Sequence, residues 1–335
     1  MTGDPEEGSA ATGLRDELRT RRRWWSFGLR AGLTVGVFAV LLAWLPVPRL
    51  MEALGRAPAG VWIGVLAGLT AGHVVASFKW RVLLGAAGLP CRAIEALRAH
   101  AAGLFANLCL PSLVGGDVVR AGFLAGSGRR IESIVVGGLG DRVIDTAVLV
   151  MLAATGVALA PGVPPAASGP VLGSVAGLLV LAVGLGPWAL RRIPAAALPR
   201  ALERPVVQLL EAADSLARSP AAATLALLLS VAVQTTFVAL NVALGRAMGI
   251  EVPLAVWFLA WPLAKLIALT PISLGGLGVR EAALAGLLVP FGVDPALAVA
   301  ESLLWQAALI VLGLVAGGLA FASRGWARAA DGSAA

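Results

Sequence analysis

A sixteen-residue segment occurs twice in the chain, and this repeat constrains the fold more than any other feature. The first copy, PSLVGGDVVRAGFLAG, runs from Pro111 to Gly126, and the second, PISLGGLGVREAALAG, runs from Pro271 to Gly286. Eight of the sixteen positions are identical, at a constant offset of 160 residues. The shared proline and glycine pair interrupt a membrane helix, and the shared arginine carries charge into lipid. The repeat therefore indicates an internal duplication, with a broken helix and a charge in each copy.

The composition is that of a membrane protein. Hydrophobic residues make up 59% of the chain and charged residues 13%, with a mean hydropathy of +0.88, whereas a soluble domain carries about 25% charged residues. The net charge is +7, but the arginines cluster at the ends of apolar runs, where the cytoplasmic bias of basic residues accounts for them. We therefore expect a polytopic membrane protein that does not bind nucleic acid. The first apolar run lacks a small-residue cleavage site and is interpreted as an anchor.

Six apolar runs have about the 20 residues that a membrane-spanning helix needs. They cover residues 26–45, 60–78, 136–160, 171–190, 221–244 and 296–321. Two further segments, 89–130 and 251–294, each contain an apolar helix, the Pro/Gly-Gly break and a second helix of about ten residues, which is too short to cross the bilayer. The sequence predicts an all-α polytopic membrane protein with about six transmembrane helices and two re-entrant helical hairpins.

The distribution of basic residues predicts how the chain crosses the membrane. With both broken segments re-entrant, the cytoplasmic ends carry Arg19 to Arg23, Lys79, Arg81, Arg129, Arg130, Arg191, Arg192, Arg324 and Arg328. The positive-inside rule is then satisfied with both termini cytoplasmic. Three crossings separate the copies, so the repeats are inverted, as in transporters that hold a substrate near the midplane. Tryptophans near span ends, including Trp62 and Trp80, are expected to be interfacial anchors.

These expectations divide the chain into three parts. Residues 1–25 form a basic cytoplasmic segment, and residues 26–323 form the transmembrane domain, with repeats at about 60–160 and 220–320. Residues 324–335 form a short cytoplasmic tail.

Nine charged residues are expected at membrane depth. They are Asp117, Arg120, Asp141, Arg142, Asp145, Lys265, Arg280, Glu281 and Glu301. Asp141 and Glu301 are equivalent, since each lies 25 residues after the second glycine of its copy. Arginine holds a phosphate with two parallel hydrogen bonds, and a helix that starts after the glycine pair directs free N–H groups at the same point. The predicted lipid-phosphate site contains Arg120, Arg280, Gly115, Gly116, Gly275, Gly276 and Asn107, and the other charged residues form a network around it.

A structural interpretation of the same charges stays open. Arg120 with Asp141, and Arg280 with Glu301 or Glu281, are also the expected partners of buried ion pairs that lock the two hairpins. Such pairs and a lipid site are compatible with each other.

Three further residues have two interpretations each. Asp145 lies one turn from Asp141, and we expect it to be a second partner for Arg142 or Arg120 rather than a proton carrier. Lys265 either reaches the outer surface along its apolar stem or contacts substrate. Asn107 is expected to cap backbone groups that the break leaves free, rather than to contact a headgroup.

Catalytic and metal-binding patterns are missing from the sequence. It has no G-x-S-x-G, P-loop or H-E-x-x-H motif. His73 and His100 have no cysteine or carboxylate cluster around them in sequence, so we expect no metal site and no cofactor. An enzyme is disfavoured, although Asp141 and Asp145 are a carboxylate pair.

The motifs resemble a known family. They are Asn107…Pro111-x-x-x-Gly115-Gly116-Asp117-x-x-Arg120, Asp141-Arg142-x-x-Asp145 and Pro271-x-x-x-Gly275-Gly276-x-Gly278-x-Arg280-Glu281. The chain from about residue 31 to residue 323 resembles the lysylphosphatidylglycerol synthase transmembrane domain, the flippase-like family of bacterial and archaeal membranes. That resemblance implies movement of lipids between leaflets. It does not carry over the synthase activity, because the sequence ends at Ala335 without the soluble transferase domain of some members. Asp117 is replaced by Leu277 in the second copy, so the two half-sites differ chemically.

We therefore expect a flippase-like transporter of the bacterial or archaeal cytoplasmic membrane that translocates a phosphate-bearing lipid. Its expected partner is a phospholipid or a polyprenyl-linked lipid, and a homo-oligomer or a lipid-synthesising partner enzyme stays open. The alternative is a membrane enzyme or accessory subunit that acts on a lipid-linked sugar or an aminoacylated lipid.

Overall fold

The structure, a computed structural model, describes residues 48, 51–52, 55–109, 115–125, 130–162, 207, 210–211, 214–269 and 278–332, with the backbone alone for residue 109 and residues 323–332. Eight α-helices with defined bounds and no strand occur in this part of the chain, and residues 48, 51–52, 55, 207, 210–211 and 214–217 are also helical. The eight helices are α1 (Ala59–Ala86), α2 (Ala93–Cys109), α3 (Gly115–Ala125), α4 (Ile131–Leu159), α5 (Pro220–Ala247), α6 (Leu254–Ala268), α7 (Val279–Leu288) and α8 (Pro295–Gly332). A 3₁₀ turn, Val289–Phe291, connects α7 to α8.

Four helices are long and apolar enough to cross a membrane. They are α1, α4, α5 and the Pro295–Ala322 part of α8, with 28, 29, 28 and 28 residues. At about 1.5 Å per residue each exceeds the ~30 Å of bilayer hydrocarbon. Large apolar side chains such as Ile63, Leu139, Leu228 and Leu314 point outward, as expected for helices that face lipid tails. These helices confirm four of the six predicted spans, and the other two, 26–45 and 171–190, lie outside the described residues.

The two broken segments each contain a helix followed by a shorter one. Helices α2 and α6 have 17 and 15 residues, and the helices after the breaks, α3 and α7, have 11 and 10. At about 1.5 Å per residue, α3 and α7 are too short to cross the bilayer. Within each segment the two helices pack against each other. The helix–break–helix pattern agrees with the sequence, while re-entry on one side of the membrane stays a prediction. Both breaks, residues 110–114 and 270–277, lie outside the described residues.

The described helices of the two copies follow the same order and pack across the duplication. Helix α1 packs on its equivalent α5, α6 packs on α4, and α2 packs on α8. Each broken segment therefore lies against the long helix of the other copy. Exchanging α1–α4 with α5–α8 leaves this set of contacts unchanged. The arrangement agrees with the internal duplication that the sequence indicates.

Small residues allow these helices to approach closely. A Cβ at Gly156 on α4 would overlap the backbone of α6 at Phe258 and Leu259. On α8, a Cβ at Gly317 would overlap the Phe105 ring of α2. Glycine at such contacts is typical of membrane helices, which associate by close packing and not by burial from water.

Candidate functional site

A buried lysine joins two carboxylates in the first copy. Lys79 on α1 is only 1% exposed, and its ammonium group lies 3.1 Å from an Asp141 carboxylate oxygen and in ion-pair contact with Asp145. Asp141 and Asp145 are four residues apart, so they share one face of α4. Ser230 on α5 donates a hydrogen bond to Asp145. Lys79 therefore ties α1 to α4 through its ion pairs with both carboxylates.

Arg120 on α3 completes this network. Its guanidinium donates to Asp141 at 3.0 Å and lies 3.8 Å from the centre of the Trp80 ring. The other terminal nitrogen is 3.4 Å from Nδ1 of His100. Arg120 thus forms the buried ion pair with Asp141 that was one of the two interpretations of the sequence.

Two expectations at this end of α1 are wrong. Lys79 does not present its charge to the membrane surface, and Trp80 is not an interfacial anchor, because both side chains are 1% exposed inside the helix assembly. The expected partners of Asp145, Arg142 and Arg120, are also wrong, since Asp145 is bound by Lys79 and Ser230. Arg142 instead donates to Asp117 at 2.9 and 2.7 Å, in a half-exposed pair that links α4 to the first turn of α3.

Asn107 and Gly116 hold the first break together. The Gly116 N–H donates to the Asn107 side-chain oxygen at 3.0 Å, so Asn107 caps the start of α3 as expected. A Cβ at Gly116 would overlap both Asn107 and the Gly103 carbonyl oxygen. Gly116 therefore permits the contact between α2 and α3. The neighbouring Gly115 is buried, and how either glycine relates to a phosphate stays a prediction.

The second copy uses its charges differently. Arg280 on α7 donates at 2.9 Å to both Glu281 and Gln306, and Glu281 also accepts from the Gly278 N–H at 2.6 Å. Glu281, and not Glu301, is thus the partner of Arg280. The sequence had left both carboxylates open as partners. Glu301 is fully buried, and neither of its carboxyl oxygens has a hydrogen-bond partner in the described part of the chain. Gly275 and Gly276 lie outside the described residues.

The network of the first copy surrounds a polar cavity of about 160 Å³. Helices α1 to α6 all contribute to its wall. Its polar lining consists of His73, His100, Asn107, Asp117, Arg120, Asp141, Arg142, Asp145, Gln234 and Lys265. Asp145 and Gln234 each occupy the middle of a membrane-length helix, so the cavity lies at the level of the helix centres. The structure brings together most of the charged residues that the sequence singled out, whereas Arg280, Glu281 and Glu301 do not line this cavity.

Lys265 is the cation of this cavity that has no acidic partner in the described part of the chain. Its ammonium group donates to the neutral side-chain oxygen of Gln234 at 2.9 Å and lies 5.3 Å from the centre of the Phe237 ring. The side chain is half-buried and lines the cavity, so it does not reach toward the outer surface. Among the described residues that line this cavity, Lys265 is therefore the cation whose charge no carboxylate balances.

An apolar pocket of about 370 Å³ adjoins the polar cavity. Helices α1, α2 and α8 form it, mostly with aliphatic side chains, and His73, His100 and Leu104 line both spaces. The two histidines are 3.3 Å apart between Nδ1 of His73 and Nε2 of His100. The two histidines are therefore in contact, although 27 residues separate them in the sequence. Val315 and Leu319 on the α8 wall are exposed at 56% and 68%, so the pocket opens toward the lipid-facing side of α8.

Four residues of the site were not identified as its members from the sequence, namely Lys79, His73, His100 and Gln234. Lys79 was assigned to a membrane boundary, and the histidines were considered only as possible metal ligands. One signal was available, because Lys79 and Lys265 are the only lysines among 26 basic residues. In a chain that otherwise uses arginine, lysine supplies a compact point charge, and both lysines belong to this one cluster.

Two comparisons with known proteins bear on this site. The family model described as the lysylphosphatidylglycerol synthase TM region matches residues 30–317. That range contains both broken segments and every residue of the polar cavity. A search of curated proteins found no match to the chain.

Proposed function

The chain belongs to the lysylphosphatidylglycerol synthase transmembrane family, as its motifs predicted, and on this premise we propose that it binds a phosphate-bearing lipid and moves it between membrane leaflets. The family and the apolar helices make it a multi-pass membrane protein related to lipid handling. Lipid binding and lipid translocation are the more specific function that we propose.

One observation carries the proposal, namely that a charged cavity and an apolar pocket share a wall. A membrane lipid has a polar headgroup and hydrocarbon chains, so a site for the whole molecule needs both environments side by side. The polar cavity offers cations and amide donors at the level of the helix centres, and the adjoining pocket offers aliphatic surface open to lipid. Charges at this depth in a membrane mark substrate pathways by default, because they are costly to keep there.

Translocation fits the arrangement of the repeats. Broken helices at the boundary between inverted repeats are the setting in which transporters expose one site alternately to the two sides. Here both copies contribute to the wall of the cavity. Helices α1 to α4 come from the first copy, and α5 and α6 come from the second. A shift of one copy against the other would therefore change access to the cavity. We propose that both termini are cytoplasmic and that the hairpins enter from opposite sides.

The alternative function is that of an enzyme or accessory subunit that acts on a lipid-linked sugar or an aminoacylated lipid. Its catalytic groups would be the carboxylate pair of Asp141 and Asp145. Both carboxylates already hold protein cations, since Lys79 contacts the two of them and Arg120 contacts Asp141. A general base must be within reach of the proton that it removes. These ion pairs favour a structural role for the two carboxylates and therefore support transport over catalysis.

Filling the cavity tests the proposal. In vesicles that contain a fluorescent phospholipid, the wild-type protein is expected to expose inner-leaflet lipid to an added quencher faster than protein-free vesicles do. Ala76→Phe on α1 adds a ring to the cavity wall and should bring the rate close to the protein-free value, because the space of about 160 Å³ has no room for both a ring and a headgroup.

Ala67→Phe is the matched control, because Ala67 is an exposed residue on the same helix and does not line either space. It should retain the wild-type rate. A wild-type rate equal to that of empty vesicles, or full activity in Ala76→Phe, would contradict transport through this cavity.

A further inference from the structure

We propose that the site selects a lipid with a net negative headgroup, whose phosphodiester is bound at Lys265, over zwitterionic lipids and over lipids with an added amine. This inference rests on the proposed function and deepens it by naming the substrate class. It follows from the charges around the cavity and from the way in which they are paired.

Among the residues that the structure describes, the cavity has one positive charge in excess. Its lining and the lysine bound to it contain four cations, Lys79, Arg120, Arg142 and Lys265. Three anions face them, Asp117, Asp141 and Asp145. With both histidines counted as neutral, four minus three leaves a formal charge of +1. A phosphodiester carries a single negative charge and would bring the site to neutrality, which lowers the cost of holding charge inside a membrane.

The three carboxylates are already occupied. Asp117 accepts two hydrogen bonds from Arg142, Asp141 is held by Arg120 and Lys79, and Asp145 is held by Lys79 and Ser230. An ammonium group on a ligand would need a carboxylate or several oxygens as partners, and it would have to displace a protein cation to obtain them. Breaking a buried pair in this way leaves a charge uncompensated. An aminoacylated headgroup is therefore disfavoured at this cavity.

The excess positive charge is located at Lys265. Its only hydrogen bond in the described part of the chain goes to Gln234. Gln234 accepts that bond with its carbonyl oxygen, and this leaves its amide nitrogen as a second donor for a phosphate oxygen. The Gln234 amide and the Lys265 ammonium group are already bonded to each other, so they form a preorganised pair of donors. This pair can bind one or two oxygen atoms of an anion.

The position of Lys265 also fits a lipid and not a free anion. His73 lines the polar cavity together with Lys265, and it lines the apolar pocket as well. A ligand with its phosphate at Lys265 can therefore place a hydrocarbon chain past the histidines, between α1, α2 and α8. Val315 and Leu319 at that pocket are exposed, which provides a lateral opening toward the bilayer.

The test measures lipid affinity on the full chain, purified in detergent, by native mass spectrometry. The three probes have equal acyl chains: phosphatidylglycerol, which is anionic, phosphatidylcholine, which is zwitterionic, and lysyl-phosphatidylglycerol, which is cationic. We expect phosphatidylglycerol to bind about tenfold more tightly than phosphatidylcholine, the order of magnitude of one desolvated charge pair. The cationic lipid should bind most weakly.

Variants at Lys265 test the assignment. Lys265→Met and Lys265→Gln should each abolish the preference for the anionic lipid, and the second provides a polar replacement if the first does not fold. Lys265→Arg should retain the preference. Arg246→Met is the matched control, because it also removes one positive charge but lies exposed near the end of α5, outside both spaces. It should behave as wild type.

Glycerophosphoglycerol, the same headgroup without acyl chains, distinguishes a lipid site from an anion site. It should not displace phosphatidylglycerol at an equal concentration, and displacement would overturn the role of the apolar pocket. Equal affinity for the three lipids, tightest binding of the cationic lipid, or an unchanged preference in both neutral variants would overturn the inference while leaving lipid binding intact. Absence of any bound lipid would instead contradict the proposed function.

Discussion

At the scale of single residues, the two copies have equivalent carboxylates in unequal surroundings. Asp141 is shared between Lys79 and Arg120, whereas Glu301 has no hydrogen-bond partner in the part of the chain that the structure describes. Arg280, the equivalent of Arg120, bonds to Glu281 and Gln306 instead. The duplication therefore kept the positions of these two charges, Arg120/Arg280 and Asp141/Glu301, while changing their partners.

These surroundings predict that the two carboxylates contribute unequally to stability. Asp141→Asn should destabilise the protein by about 3 kcal/mol, because it leaves the buried charges of Arg120 and Lys79 short of a partner. Glu301→Gln removes no observed hydrogen bond and should change stability by less than about 1 kcal/mol. Thermal unfolding of both variants in one detergent measures the difference. A loss in Glu301→Gln as large as that in Asp141→Asn would show that Glu301 has a partner after all.

The residue pairs that could be predicted from the sequence have partners on the same or consecutive elements, although not every such pair could be predicted. The pairs Arg120–Asp141 and Arg280–Glu281 and the Asn107 cap are of this kind. Lys79 could not be placed correctly, because beside Phe78, Trp80 and Arg81 it has the flanking residues of a membrane boundary. Its burial results from the packing of other helices, including α4, against α1. The contact between His73 and His100 joins two helices and leaves no pattern in the sequence.

At the scale of elements, the positions of the long helices were predicted because their causes are local, although α1 continues to Ala86, past its predicted end at residue 78. Proline and paired glycine interrupt a helix wherever they occur, and about 20 apolar residues suffice to identify a span. The cross-packing of α6 on α4 and of α2 on α8 could not be predicted in the same way. It depends on which glycines face which neighbours, such as Gly156 against Phe258 and Leu259.

The orientation of the two broken segments is a prediction that labelling can check. In a background with Cys91 and Cys109 replaced by alanine, Ile131→Cys reports on the start of α4 and Pro295→Cys on the start of α8. Both residues are exposed and follow the short helix of their copy. If the repeats are inverted, an impermeant thiol reagent should label Ile131→Cys from the cytoplasmic side and Pro295→Cys from the opposite side. Labelling of both from one side would contradict the inverted arrangement.

At the scale of the whole molecule, the site exists because the two copies pack on each other. Neither copy alone encloses the cavity, since Lys265 and Gln234 come from the second and the charged network from the first. The apolar pocket likewise joins α1 and α2 to α8. A relative movement of the copies would therefore alter the headgroup cavity and the chain pocket together. This is the geometric reason for assigning one lipid to both spaces.

A reconstruction by cryo-electron microscopy, with the full chain in nanodiscs of phosphatidylglycerol, tests this assignment most directly. The account predicts lipid density with its phosphate against Lys265 and one acyl chain in the pocket between α1, α2 and α8. A nanodisc of phosphatidylcholine is the control and should give weaker density at Lys265. Ordered lipid confined to the outer surface, with both the cavity and the pocket free of lipid density, would contradict it.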